Sequence, residues 1–187
     1  MACNDILENT LNLSGIFSNI FPASITLNVY LLVKLMILSR IINPDSKFSL
    51  TRWYHRLSLP EKLPKQIDVH QFYASLDHLL TYKETIELAL FAQLKTTGLI
   101  ETTVVFYDLT SSYVEGEDCE IAKKGYSRDH RFDCLQITLG LVIDRKNGLP
   151  LYHEVFEGNM RVSKTVKWIL EKLQTLFPVK KFCFRGG

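Results

Sequence analysis

Apolar positions follow helical spacing over the first hundred residues and strand-like runs thereafter. From Leu27 to Ile42 the chain reads LNVYLLVKLMILSRII. This nearly continuous apolar run predicts a helix over 24–43, stopped by Pro44 because the residue before a proline avoids helical geometry. Over 69–82 the apolar residues Val69, Phe72, Tyr73, Leu76, Leu79 and Leu80 form the stripe of an amphipathic helix. Lys83–Lys95 continues with good helix formers. Residues 1–22 are too weakly patterned to predict an element, and Pro44–Lys65 is rich in charge and proline.

The pattern changes after Gly98. Thr102–Leu109 (TTVVFYDL) is β-branched and aromatic, which predicts a strand buried on both faces. Leu135–Ile143 predicts a second strand and Leu149–Phe156 a third, joined as a hairpin by the turn residues Asp144–Gly148. Ser163 is placed to cap a helix running to Leu176, ended by Pro178, and Lys181–Phe184 begins a further strand. The expectation is an α/β protein: a mostly helical region over 1–100, then a mixed sheet over 101–187. A sheet that stops in so short a strand leaves an open edge, as in a domain cut short.

Composition narrows the classes. The chain has 187 residues, 47% apolar and 22% charged, which is globular and excludes a disordered or collagen-like chain. A net charge of +2 does not announce a nucleic-acid binder, so such a role must rest on local patches. Four cysteines lie far apart with no C-x-x-C pair, which fits a reducing cytoplasm. The apolar run of about 16 residues is shorter than the ~20 a spanning helix needs, and Lys34 and Arg40 interrupt it. No basic leader precedes it. The expectation is a core helix in a cytoplasmic protein with no membrane partner.

Two places carry candidate chemistry. Asp108 closes an apolar strand, where a carboxylate is expensive unless paired, hydrogen-bonded or on a metal. It reads as a catalytic or metal-binding acid at a strand end, or as a turn residue bonded back to the backbone near Thr110 and Ser111. Lys123–Asp133 holds Lys123, Lys124, Arg128, His130 and Arg131 around Tyr126 and Phe132. That composition suits phosphate and base contact, and equally a solvated loop with internal Arg–Asp pairing. His130 with Cys119 and Cys134 matches no familiar zinc spacing. The phosphate-loop, dinucleotide and serine-hydrolase motifs do not occur.

Three longer stretches, in order, resemble bacterial insertion-sequence transposases of the DDE type, which have an RNase H-like core. They are YDLTSSYVEGE (Tyr107–Glu117), GYSRDHRFDCLQITLGLVIDRKNGLP (Gly125–Pro150) and HEVFEGNMRVSKT (His153–Thr165). SRIINPDSKFSLTRWY (Ser39–Tyr54) and YASLDHLLTYKETIELALF (Tyr73–Phe91) fit the helical region before that core.

The resemblance implies a sheet whose first strand is central, with the strand bearing the second acid beside it. It makes Asp108 the counterpart of the first catalytic, metal-binding aspartate. It implies DNA (element ends and target) as partner, with Mg²⁺ or Mn²⁺, and an intact transposase or a second copy as a further partner. From charge alone, and not from the resemblance, Arg128 and Arg131, with Lys123 and Lys124, are the expected phosphate contacts. The second aspartate would fall near Arg185-Gly186-Gly187, where the sequence has none, and the third acid has no counterpart. Two-metal phosphoryl transfer needs several carboxylates, so a single acid implies a chain that does not cut DNA by itself. The expected function is transposase-type, with a non-catalytic DNA-binding or protein-interaction role as the alternative.

Overall fold

The structure is a computed structural model describing residues 2–101, 103–116, 118–177 and 181–184. The chain divides into two compact units, residues 1–94 and 95–187.

The first unit is helical. It contains α1 (Ala2–Asp5), a π-helical turn (Ile6–Thr10), α2 (Leu13–Ile20), α3 (Ala23–Ile42), α4 (Lys47–Trp53) with a 3₁₀ turn (Tyr54–Arg56), α5 (Val69–Thr81) and α6 (Lys83–Thr96). The helix expected over 24–43 is α3, and it forms the centre of the unit. Val29 to Leu35 are buried without a break, along with Met36 and Leu38. A helix apolar all round needs neighbours on every side, and α2, α4 and α5 supply them. No helix among the described residues is long and apolar enough to cross a membrane.

The amphipathic stripe of 69–82 is α5. Its start is fixed by a capping box in which Asp68 accepts from the His70 N–H at 2.8 Å and the Gln71 side chain accepts from the Asp68 N–H at 2.8 Å. Residues 2–20, within the stretch that the pattern leaves unassigned, are mostly helical. Short helices form there because Leu7, Leu13, Ile16, Phe17 and Phe21 are buried in the core, on elements too brief to show a period.

Lys34 is the exception in α3's apolar surface and is fully buried. Its Nζ donates to Glu8 Oε1 at 2.9 Å, to Glu61 Oε1 at 2.5 Å and to Tyr30 Oη at 2.9 Å. The Tyr30 hydroxyl in turn lies within hydrogen-bond reach of both glutamates, with Glu8 the nearer acceptor for its one proton. Partial burial pushes the two carboxyls up, but the bonds from Tyr30 and Lys34 outweigh it and hold both below the ordinary glutamate range. Desolvation and the two carboxylates push the Tyr30 phenol far up. Charges this deep persist only when paired and hydrogen-bonded.

Among its described residues the second unit is a four-stranded mixed sheet with one helix. Its elements are β1 (Val104–Val114), β2 (Leu135–Asp144), β3 (Pro150–Glu157), α7 (Val162–Leu176) and β4 (Lys181–Phe184), in the sheet order β3-β2-β1-β4. β1 pairs antiparallel with β2 from Val105↔Asp144 to Val114↔Leu135, and parallel with β4 from Val104↔Lys181 to Tyr107↔Phe184. The first strand is therefore internal with the last beside it, as the resemblance implies.

The hairpin turn is built by Asp144, whose buried carboxylate accepts from the N–H groups of Lys146 (2.9 Å), Asn147 (3.1 Å) and Leu149 (2.7 Å). Gly148 takes a φ of 68° there. α7 begins at Val162 with Arg161 at its N-cap and no side-chain cap. Ser163 is thus inside the first turn, which corrects the expected cap. Thr102 and Pro178, expected at the start of β1 and the end of α7, lie outside the described residues.

Candidate functional site

Residues directly opposite one another share a face of the sheet, so the register sorts the side chains. One face carries Val105 and Tyr107 from β1, Val142 and Gly140 from β2, and Tyr152 and Phe156 from β3. α7 covers this face. Trp168 packs edge-on to Phe156 at 5.6 Å and stacks with Tyr152 at 6.4 Å, and Ile169 and Leu173 are buried. Gly140 is required here, since a Cβ would lie 2.6 Å from the Tyr107 hydroxyl.

The other face carries Phe106, Asp108, Thr110 and Ser112, with Ile143, Leu141, Leu139 and Ile137 beside them. Asp108 is on this face and exposed. In its row Leu141 lies opposite it, and His153 lies beyond Leu141.

This placement corrects the two local settings expected for Asp108, the end of its strand and a turn. The aspartate does not close its strand, because β1 runs on to Val114, with the long β2 as its template. Nor is there a turn at Thr110–Ser111. Among the described residues the carboxylate Oδ1 accepts from the adjacent Leu109 N–H alone, at 2.9 Å. The strand is buried on one face, so Asp108 escapes the desolvation cost that makes it conspicuous in the sequence.

The surroundings of Asp108 can be tested against an ion site. Its neighbours in the register are apolar or hydroxyl-bearing, and among the described residues no group of three His, Cys, Asp or Glu could hold a metal. His130, Cys119 and Cys134 make no such group either. Asp144 is spent on its turn and Asp133 on Arg131. β4 pairs as far as Phe184 opposite Tyr107, one position short of Asp108. Arg185, Gly186 and Gly187, where the resemblance looks for a second acid, lie outside the described residues, as does Glu117 of the first motif. The described residues supply one carboxylate and do not by themselves make a two-ion site.

The basic segment 123–133 is docked on the sheet. Lys123 exchanges both backbone bonds with Gln136, at 3.0 and 2.8 Å. Lys124 Nζ donates to the carbonyls of Phe132 (3.3 Å) and Asp133 (2.9 Å). Arg131 is paired with Asp133 at 2.9 Å and with Glu115 at 3.5 Å, and its guanidinium lies 4.7 Å over the Tyr113 ring. That hydrogen-bonded pairing pushes the Arg131 guanidinium up and holds the Asp133 carboxyl far below the usual range. For Arg131 the geometry is therefore the internal Arg–Asp pair.

Arg128 is held differently. Its N–H donates to Ser111 Oγ at 2.9 Å and its guanidinium to the Leu109 carbonyl at 3.2 Å, which fixes a cation beside the residue that follows Asp108. Lys123, Lys124 and Arg128 form no ion pair among the described residues.

Several residues of the site are not singled out by the sequence. Gly125 and Gly158 meet backbone to backbone. A Cβ on Gly125 would lie 1.9 Å from the Gly158 carbonyl oxygen, and one on Gly158 would lie 2.0 Å from that of Gln136. Buried Ser127 accepts from the Arg131 N–H at 3.0 Å, and buried Gln136 donates to the carbonyls of Arg131 and Cys134. The second and third motifs thus meet at a glycine crossing. The signal is their small residues at fixed places, which acquire meaning only once the partner is known.

No protein-family model and no curated protein matches the chain. Among solved structures it is similar to the Mos1 transposase paired-end complex with left transposon end. That match has 12% identity and a TM-score of 0.27, and it covers 78% of this chain and 46% of that one. The chain therefore spans less than half the length of that protein, and a likeness at this score carries no weight for function.

Proposed function

We propose that this chain is a transposase-type DNA protein of the DDE insertion-sequence kind, with Asp108 as the counterpart of the first catalytic acid. The observation that carries the reading is the place of Asp108. It stands exposed on the inner strand of a mixed sheet, on the face away from α7, with a parallel strand beside it. The order of the three sequence motifs supports the same reading. In that family Mg²⁺ or Mn²⁺ held by several acids neutralises charge on the reacting phosphate. Asp108 alone cannot position two such ions, so the role left to it among the described residues is that of one ligand. Lys123, Lys124 and Arg128 are the groups that would meet DNA phosphates. The absence of a three-ligand group among the described residues favours the second reading, a protein that binds DNA without cutting it.

The test is binding of the 187-residue chain to duplex DNA across a salt series, followed by incubation of the bound DNA with Mg²⁺. The expected result is an affinity that falls with salt as phosphate contacts are exchanged for counterions, without cleavage. Cleavage that disappears in Asp108→Asn would establish the enzyme over the non-catalytic reading. No DNA affinity at low salt would overturn both.

A further inference from the structure

The surface formed by the docked segment 123–133 exposes more aromatic area than a solvated loop needs. Tyr126 is 76% and Phe132 64% exposed, and His130 lies edge-on to Phe132 at 6.0 Å. These rings are not on a loose loop. The glycine crossing fixes the segment before Tyr126, the two Lys124 bonds and the Arg131–Asp133 pair fix it around Phe132, and Arg128 ties its middle to β1. Holding two aromatic rings in water forgoes their burial, which is the largest favourable term available to them. Flanking them are Lys123, Lys124 and Arg128, all exposed and none in an ion pair among the described residues.

We infer that this surface binds an unpaired nucleic-acid strand, with bases stacking on Tyr126 and Phe132 and a phosphate on Arg128. The chemistry favours an unpaired strand over a duplex. Exposed ring faces have nothing to stack on in a closed duplex, whose bases present only their edges, whereas every unpaired base offers a π-face. Asp118 and Glu120 upstream, with Asp129 in the same turn, hold the net charge of the region down. The rings, more than long-range attraction, therefore carry the affinity. The inference rests on the reading above, and it specifies that the DNA is held in an opened form by a segment anchored to Ser111 and Tyr113, on the sheet face opposite Asp108.

The experiment is fluorescence anisotropy of the full chain with a short labelled oligothymidylate and with a duplex of the same length. Single-strand binding should be the tighter. Tyr126→Ala and Phe132→Ala should each weaken it by about 5- to 150-fold, the worth of one base–aromatic stack. Duplex binding should stay unchanged and Phe132→Tyr should restore the affinity. Tyr73→Ala, an exposed aromatic of the helical unit, should change nothing. Arg128→Gln should flatten the salt dependence by about 0.7 in slope, one single-strand phosphate contact.

Single-strand affinity that survives both alanine variants, or tighter binding of the duplex, overturns the inference and leaves the duplex-binding reading standing. Ring-dependent single-strand binding with no duplex affinity and no cleavage upholds the inference and overturns the transposase reading. No binding of either DNA overturns both.

Discussion

The helical and sheet units hold their shape by different means. In residues 1–94 a largely apolar helix, α3, packs among amphipathic neighbours, and the specificity comes from one charged cluster, Lys34 with Glu8, Glu61 and Tyr30. In residues 95–187 the apolar core is a single layer between α7 and one sheet face, and the specificity comes from backbone meeting backbone at Gly125, Gly158 and Gln136. An apolar interior tolerates exchange of one large side chain for another. A crossing of main chains admits no side chain at all. The first unit is thus vulnerable at a charge and the second at the addition of a methyl group.

The largest effect should come from Lys34→Ala. It strips the shared partner from two partly buried carboxylates and should cost the helical unit about 3–5 kcal/mol, read as a lower first transition in thermal unfolding. Lys34→Met, which fills the volume, should cost less. Acid acts on the same cluster. Glu8 and Glu61 have carboxyls below the ordinary value of 4.5, so their contribution is full above that value and is lost as pH falls through the lowered folded values. The helical unit's melting temperature should drop below about pH 4.5, and Glu61→Gln should blunt the drop. If melting temperature in that range is unaffected by Glu61→Gln, the cluster does not carry the acid sensitivity.

Next in size is Gly158→Ala, whose Cβ would lie 2.0 Å from a carbonyl oxygen. Overpacking against a backbone atom should cost the sheet unit about 3 kcal/mol and leave the helical transition in place, seen by hydrogen exchange in β2 and β3. Smaller still is Asp68→Ala, which removes the capping box of α5 for about 1 kcal/mol, read from chemical denaturation. Smallest is Asp108→Asn. An exposed side chain bonded only to the next N–H should shift stability by less than about 0.5 kcal/mol, and a larger shift would give it a structural role that the geometry does not.

The two units also differ in how far the sequence announces them. α3, α5 and α6 and the β2–β3 hairpin follow from periodicity, a proline stop and turn chemistry, all local. The helices before Pro22 are too short for a period to emerge. The length of β1 is set by β2, a partner well downstream, so TTVVFYDL gives its start and conceals its end. The same holds for the site. Asp108 stands out because it follows an apolar run, yet its exposure depends on which face α7 covers, and the pattern of β1 alone does not contain that. Arg128 and Arg131 look alike in sequence, and only the positions of Leu109 and Asp133 separate the cation held beside β1 from the one neutralised within its own loop.

The glycine crossing also bears on the order of assembly. The β2–β3 hairpin closes through a turn of a few residues and is the most local event in its unit. The formed hairpin places Gly158 against Gly125, and the segment that starts there carries Arg128 to Ser111 and Leu109. β1 pairs with that hairpin through β2, and the partner edge of β4 is β1 itself, so a hairpin-first order is the expected one. In kinetic terms Gly158 is a gate, and a side chain there should slow folding more than it speeds unfolding.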